Sequence, residues 1–393
     1  MDVSRLRSET PGCVERVHLN NAGASLMPLP VVAAVQGHLL LEARIGGYEA
    51  AAEATAAIEG AYEAVAGLLA SRTRNVAFTE HATASFVQAL SSVPFQPGDV
   101  LITTRNDYVS NQIQYLSLAN RLGIEVVRAP DAPEGGVDLQ AMDELIHRQR
   151  PRLVAVTHVP TNSGLVQDVA AIGAMCRARD VLYLVDACQS LGQMPLAPEA
   201  IGCDFLSATA RKFLRGPRGA GLLWVSDDAL DRGLEPLFPD MRGADWIDGN
   251  LYRPAPDARR FETWEFSWAL VLGTGAAARY ASEVGLEAVA ERTRRLAERL
   301  RLGLGEIEGV RVLDRGPELG AIITVSVGGW VPADLVVALR ARGINTSSQT
   351  RTDAVLDYDA KGVDGALRIS PHYFNTDEEI GVVVDALAEL AGR

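Results

Sequence analysis

Short, near-continuous apolar runs alternate with helical stretches along much of this chain, and that alternation restricts the fold more than any other feature. Asp99-Val-Leu-Ile-Thr-Thr follows the turn pair Pro97-Gly98. Gly123-Ile-Glu-Val-Val, Leu153-Val-Ala-Val-Thr, Val181-Leu-Tyr-Leu-Val and Gly221-Leu-Leu-Trp-Val have similar length and character. A strand with one solvated face alternates apolar and polar residues, whereas a strand that is apolar throughout is buried on both faces. Val31 to Leu69, Ile113 to Leu122 and Val169 to Asp180 read as helices. Buried strands separated by helices predict an α/β fold with a mostly parallel sheet covered on both sides.

The pattern changes after about residue 270. Leu286 to Leu304 places Glu and Arg on one helical face and apolar residues on the other, as an exposed amphipathic helix does. A strand (Ala321 to Val327), a helix (Pro332 to Arg342) and a final helix (Thr376 to Leu390) follow. A chain of 393 residues exceeds one average domain. The expected division is a large domain over 18–268 and a smaller α+β domain made of 1–17 and 269–393. Gly249 to Arg260, with Pro254 and Pro256 around one alanine, reads as an ordered loop.

A net charge of −13 repels nucleic acid and anionic lipid, so neither is expected as a partner. No stretch reaches the roughly 20 apolar residues of a spanning helix, and the N-terminus lacks the apolar region of a signal peptide. Cys13, Cys176, Cys188 and Cys203 form no disulfide framework, and neither they nor the six histidines have metal-site spacing. The expectation is a cytoplasmic protein without a metal.

Three segments carry chemistry. Asp186 closes a buried strand; in a parallel sheet, strand C-termini face the ligand crevice. A carboxylate there suits a cationic nitrogen, and equally a helix cap. Ser207 to Gly219 combines hydroxyls, four cations and a Gly-Pro turn, which together can surround a phosphate. Lys212 lies among those cations, and a lysine held near other positive charges has a lowered pKa and acts as an amine nucleophile. In Phe78-Thr-Glu-His-Ala-Thr-Ala-Ser85 a strand end leads through Thr83 into a helix, and a helix N-terminus with a hydroxyl also suits a phosphate. Each segment alone also fits a solvated loop or a capped helix.

Taken in order, the segments resemble the fold-type I enzymes of the aminotransferase class V group, which use pyridoxal 5'-phosphate (PLP). That group includes cysteine desulfurases, C–S lyases, isopenicillin N epimerase-like and kynureninase-like enzymes. The resemblance runs from His18-Leu-Asn-Asn-Ala-Gly23 to Arg368-Ile-Ser-Pro-His-Tyr373, nearly the whole chain. It implies the aspartate aminotransferase-like architecture, with a seven-stranded type of sheet in the large domain. It implies that Lys212 carries the Schiff base, that Asp186 pairs with the pyridinium nitrogen, and that Gln189 donates to the phenolate oxygen. Ala82, Thr83, Thr209 and Arg211 are then phosphate ligands, and Tyr108 stacks on the ring where desulfurases usually have His. Asn162 lies beside the cofactor oxygen and the substrate. Asn21, in the N-terminal motif, is a further substrate-side candidate. Thr263, in Arg260-Phe-Glu-Thr-Trp-Glu265, reaches the neighbouring subunit's phosphate, which implies a homodimer. Arg368 clamps the carboxylate of a small amino acid. His372 and Cys188 read as structural.

The cofactor permits several outcomes from one α-carbanion. Desulfurases that relay persulfide carry a mobile-loop cysteine in the C-terminal half, but here no cysteine follows Cys203. Asn345-Thr-Ser-Ser-Gln-Thr-Arg-Thr352 supplies hydroxyls and Arg351 at a comparable position, so Arg351 is a candidate for a polar substrate side chain. The leading expectation is a β-eliminating C–S lyase, desulfurase-like but without a relay cysteine. Tyr108 as a second-face proton donor would give a racemase or epimerase instead, and an aminotransferase is a further alternative. A non-catalytic scaffold of the same fold would be expected to have lost Lys212, Asp186 or Arg368.

Overall fold

The computed structural model describes residues 1–392. Its centre is a seven-stranded sheet formed by β1 (Val76–Thr79), β2 (Val100–Thr104), β3 (Glu125–Ala129), β4 (Leu153–Thr157), β5 (Leu182–Asp186), β6 (Phe205–Thr209) and β7 (Gly221–Val225). The spatial order is β1-β7-β6-β5-β4-β2-β3. β7 runs antiparallel to both its neighbours, and the remaining pairs are parallel. The alternation of side chains explains the apolar runs. Ile102, Val154, Val156, Tyr183 and Val185 enter one core, while Leu101, Leu153, Ala155, Leu182 and Leu184 enter the core on the opposite face. Both faces are buried, so both side-chain sets must be apolar.

Helices α1 (Leu29–Ile45) and α2 (Thr55–Leu68) lie on the side of the first core, whereas α3 (Ala82–Ser91) and α4 (Val109–Leu122) cover the second face. The pair β8 (Ala244–Asp248) and β9 (Leu251–Pro254) forms an antiparallel hairpin, followed by a 3-10 turn over Ala258–Phe261. The segment expected as a loop at 249–260 is therefore partly strand. Its prolines fall at and just beyond the end of an exposed edge strand, where no ladder donor is needed.

The C-terminal part forms its own core. α6 (Leu286–Gly305), a helix over Pro332–Ala341 and α8 (Asp377–Ala391) pack with a sheet of order β10-β11-β13-β12, made of β10 (Val310–Val312), β11 (Ile323–Val327), β12 (Ser347–Thr350) and β13 (Gly365–Ile369). α7 (Val355–Lys361) links β12 to β13. The N-terminal segment belongs with this part: Val17–His18 pairs with Ile344–Asn345, and Leu6 packs with Tyr373 and Phe374.

Packing divides the chain one helix later than the expected boundary at 268/269. α5 (Trp268–Val284) buries Val271, Leu272, Ala276 and Ala277 in the core of the large sheet. A Cβ at Gly275 would stand 2.5 Å from the Ala61 Cβ on α2, and one at Gly273 would stand 2.5 Å from Val35 on α1. The Ala/Gly composition of α5 thus records close helix contact. The break falls at Gly285, which takes the left-handed φ of +87° between α5 and α6. Among the described residues no helix is long and apolar enough to cross a membrane.

Candidate active site

Strands β4, β5 and β6 end side by side at Thr157, Asp186 and Thr209, and all three residues line one cavity of about 410 Å³. The turn between β6 and β7 brings Arg211, Lys212 and Arg218 to the same cavity, α3 brings Ala82 and Thr83, and the residue capping α4 is Tyr108. Eight of the expected site residues, Ala82, Thr83, Tyr108, Asp186, Gln189, Thr209, Arg211 and Lys212, therefore converge on it. A larger cleft of about 1040 Å³, reached by His158 and Gln167, holds none of them.

Lys212 is fully enclosed, and burial pulls its amine below the ordinary lysine value; Cys188 and Asp186 oppose that shift, while Arg211 and Arg368 add to it. Asp186 is held at both oxygens. Oδ2 accepts from Asn111 Nδ2 at 3.0 Å and Oδ1 accepts from the Cys188 amide at 2.9 Å. Burial, and then the Asp186 charge, push the Cys188 thiol well above its ordinary value.

The phosphate end is equally well defined. The first amides of a helix have no intrahelical acceptor. The His81 ring caps only Ala84, at 3.0 Å, which leaves the amides of Ala82 and Thr83 beside Arg211 and Arg218. β7 passes so close behind this turn that a Cβ at Gly221 would lie 2.3 Å from the His81 carbonyl carbon. Arg211 is tethered by donation to the Gly23 carbonyl, whereas the Thr209 hydroxyl donates to Ala220 O at 3.3 Å.

Arg368 projects from the middle strand β13 and is buried at 8% exposure. Burial lowers it to about 10. Among the described residues no carboxylate comes within ion-pair distance, and Nε has no partner. Its NH1 donates to the Thr161 hydroxyl. A buried guanidinium without a counter-ion calls for an anion.

Thr161 takes the position expected of Asn162. Its hydroxyl lines the cavity and also accepts from Gln189 Nε2 at 3.1 Å. The Asn162 amide points away, donating to Asp357 Oδ2 at 2.7 Å and Asn106 Oδ1 at 3.2 Å. Gln189 is also turned from its expected duty. Its Nε2 is spent on Thr161 and on Ala22 O at 3.2 Å, and the atom left without a partner is Oε1. Because Ala22 O can only accept, the amide nitrogen must face it.

Three further candidates lie off the cavity. Asn21 is buried and joins the two chain ends, donating to Ser370 O at 2.7 Å and accepting from Ser25 at 2.7 Å. Arg351 is exposed and makes a two-pronged ion pair with Asp359 on α7. Thr263 donates to Glu80 at 2.8 Å and does not line this chain's own cavity. His372 is buried against Phe213, whose carbonyl it contacts at 2.8 Å, as a structural histidine should be. Sequence reasoning missed Thr161, Arg218 and the buried Asp107. Thr161 stands next to the expected Asn162, and Arg218 is one of the four cations of the 207–219 segment, so each had a signal beside it.

A model of the family described as aminotransferase class-V matches residues 17–383. The chain belongs to the aminotransferase class V family. A probable cysteine desulfurase of Methanothermobacter thermautotrophicus is 29% identical, with 100% of this chain and 99% of that protein aligned. A probable hercynylcysteine sulfoxide lyase of Mycobacterium tuberculosis is 28% identical over 95% of this chain and 90% of the relative. The solved apo structure of cysteine desulfurase from Thermococcus onnurineus superposes with a TM-score of 0.90 at 25% identity, covering 99% and 98% of the two chains.

This class V member is a PLP-dependent enzyme of the desulfurase and C–S lyase kind. The residues present fit that cofactor. The cavity offers amides and guanidinium groups for a phosphate, a doubly anchored carboxylate for a ring nitrogen, an aromatic face at Tyr108 and an enclosed amine at Lys212.

Proposed function

We propose that this enzyme cleaves the Cβ–S bond of a small sulfur-containing amino acid by β-elimination and releases the sulfur directly. The observation that supports this reading is where the chain's cysteines fall. The thiol at the cavity, Cys188, is pushed well above its ordinary value, and no cysteine follows residue 203. β12, near the position where a relay cysteine would be expected, presents Ser347, Ser348 and Thr350, and Arg351 after it is paired with Asp359.

The cofactor, when bound, supplies the electron sink that acidifies the substrate's α-carbon. Arg368 binds the substrate carboxylate, with Thr161 fixing the guanidinium. Lys212 Nζ, pulled below the ordinary lysine value by burial, accepts the α-proton. The Cβ–S electron pair leaves with the sulfur, and the released aminoacrylate hydrolyses to pyruvate and ammonium. Asp186, Ala82, Thr83, Arg211 and Arg218 would hold the cofactor, and Tyr108 would offer it an aromatic face.

We place the enzyme in the cytoplasm as a homodimer. Trp246 at 82% exposure and Phe238 at 79% stand with Leu237 and Met241 on and beside the β8–β9 hairpin, an apolar surface that a second copy would cover. Thr263 follows this region and would complete the partner's site. Light scattering that finds an active monomer would exclude this assembly.

The function is tested by adding L-cysteine and L-cystine to the purified holoenzyme while recording the visible band and analysing products by mass spectrometry. Pyruvate with released sulfide or persulfide supports elimination. α-Deuterium incorporation without pyruvate would replace it with racemisation, and keto-acid formation with amination of the cofactor would replace it with transamination.

A further inference from the structure

A second buried carboxylate lies behind Asp186. Asp107 is 5% exposed and immediately precedes Tyr108. Its Oδ1 accepts from the Tyr108 amide at 2.7 Å, Asn111 Nδ2 at 3.1 Å and Thr157 Oγ1 at 2.5 Å. Its Oδ2 accepts from Thr103 Oγ1 at 3.0 Å and Gln112 Nε2 at 3.1 Å. Three of these five donors are amide N–H groups that cannot accept, so the surroundings match an anion and leave little room for a carboxyl proton. Burial and the Asp186 charge push the Asp107 carboxyl up, and the donors oppose that shift.

The two carboxylates share one amide. Asn111 Nδ2 donates to Asp107 Oδ1 and to Asp186 Oδ2. Because both partners are acceptors, the amide can face only one way. The chain continues outward, since Gln112 Oε1 accepts from Arg128 Nε at 2.8 Å on β3. A continuous line of hydrogen bonds therefore joins Arg128, Gln112, Asp107, Asn111 and Asp186.

We propose that Asp107 is a positioning residue that acts through Asn111 on Asp186, fixing the orientation of that carboxylate and adding a second negative charge behind it so that the cofactor's ring nitrogen stays protonated. This inference rests on Asp186 as the partner of that nitrogen. The other groups that act on Asp186 are Lys212 from the turn after β6, Cys188 beside it and Tyr115 from α4. Cys188 and Tyr115 are held protonated by burial and carry no charge, and Lys212 is the covalent anchor. Asp107 is then the one further negative charge in the group, among the described residues.

The experiment uses holoenzyme carrying cofactor labelled with ¹⁵N in the ring, with the ¹⁵N chemical shift and the visible spectrum followed against pH in Asp107→Asn, Asp107→Glu and Asp186→Asn. A unit charge about 8 Å from a titrating group, at an effective dielectric near 20, shifts its pKa by about one and a half units. Asp107→Asn should therefore lower the ring-nitrogen pKa by about one and a half units and kcat by roughly 30-fold, with KM changed less than about twofold. Asp107→Glu should restore most of both. If Asp186→Asn deprotonates the nitrogen and folded Asp107→Asn does not, the inference about Asp107 is overturned while the role of Asp186 stands. If neither variant moves the nitrogen, the assignment of Asp186 fails and takes this inference with it. Should Asp107→Asn fail to fold, Asp107→Ser removes the same charge and Asn111→Ala removes the bridge, and a ring nitrogen unchanged in both folded variants overturns the proposal.

Discussion

Replacing Thr161 by Val tests the substrate end of the site with little change of shape. The hydroxyl accepts from Arg368 NH1 and from Gln189 Nε2, so both of its lone-pair directions are occupied and its own proton is left to point into the cavity. Val keeps the volume and removes all three interactions. A hydrogen bond to a charged group contributes about 1.5–3 kcal/mol and a neutral one about 0.5–1.5 kcal/mol. The net cost to folding should be about 2 kcal/mol. Binding loses the donor to the substrate carboxylate and the fixed aim of the guanidinium. A loss of about 2 kcal/mol there raises KM roughly 30-fold, with kcat changed far less. Initial rates of pyruvate release against amino-acid concentration give KM, and urea unfolding of the same protein gives stability. Thr161→Ser, which keeps the hydroxyl, should stay within about threefold of the wild type. If Thr161→Val leaves both KM and the urea midpoint unchanged, this hydroxyl does not aim Arg368 and the carboxylate binds elsewhere.

Two further outcomes follow from the buried groups. Lys212→Ala should abolish the visible band of the lysine-bound cofactor, and an unchanged band in the purified variant would remove Lys212 from the centre of the site. His18 and His158 are both pushed down to about 4 by burial, so the unfolded chain binds more protons than the folded one below the ordinary histidine value near 6.5. The stabilising contribution is complete above about pH 6.5 and is lost as pH falls toward 4, at up to about 1.4 kcal/mol per pH unit for each histidine. Urea midpoints measured between pH 7 and pH 4 should show this fall, and His158→Gln should flatten it by about one histidine's share. An equal slope in the variant would show that His158 is not the buried neutral group the packing describes.

The large sheet was legible because burial on both faces leaves a mark that needs no alignment. β6 was hidden: Phe205-Leu-Ser-Ala-Thr runs directly into the basic turn, and its hydroxyls drew attention to the turn while the strand itself went unread. The helix α5 was assigned to the wrong part of the chain for a related reason. Its composition changes at the point where the domain was expected to end, but Gly273, Gly275 and the alanines are small because α1 and α2 press against them. Lys212, Asp186 and Arg368 could be found because each is a residue type that apolar surroundings rarely tolerate without a task. Asn162 is what the family resemblance implies, with Thr161 beside it in the same turn. Sequence cannot say which of two neighbouring polar residues on a turn faces the cavity, and here the Asp357 carboxylate on α7 claims the amide. Asp107 could not be weighed at all, because its meaning depends on Asn111 and on a strand end some eighty residues away.

The seating of Lys212 shows how the two cores make one site. The three residues after it are buried in three different places. Phe213 enters the core of the C-terminal part with Val159 and Leu19, and Leu214 enters the core of the large sheet. Arg215, in the left-handed region at φ +63°, sits among the rings of Tyr280, Tyr373 and Phe374 and donates to Thr10 and the Leu26 carbonyl. A backbone so tied on three sides has little freedom to move its amine, which is what the roles proposed for Lys212, anchoring a cofactor and moving a proton, require. The same arrangement makes the lysine's position depend on how the two parts meet. A shift of the C-terminal part pulls on Phe213, one bond step from Lys212, and at the same time moves Arg368 on β13. The amine and the carboxylate clamp are thereby held in register by one interface, so a substitution that loosens Phe213 should weaken substrate positioning even though Phe213 is absent from the lining of the cavity.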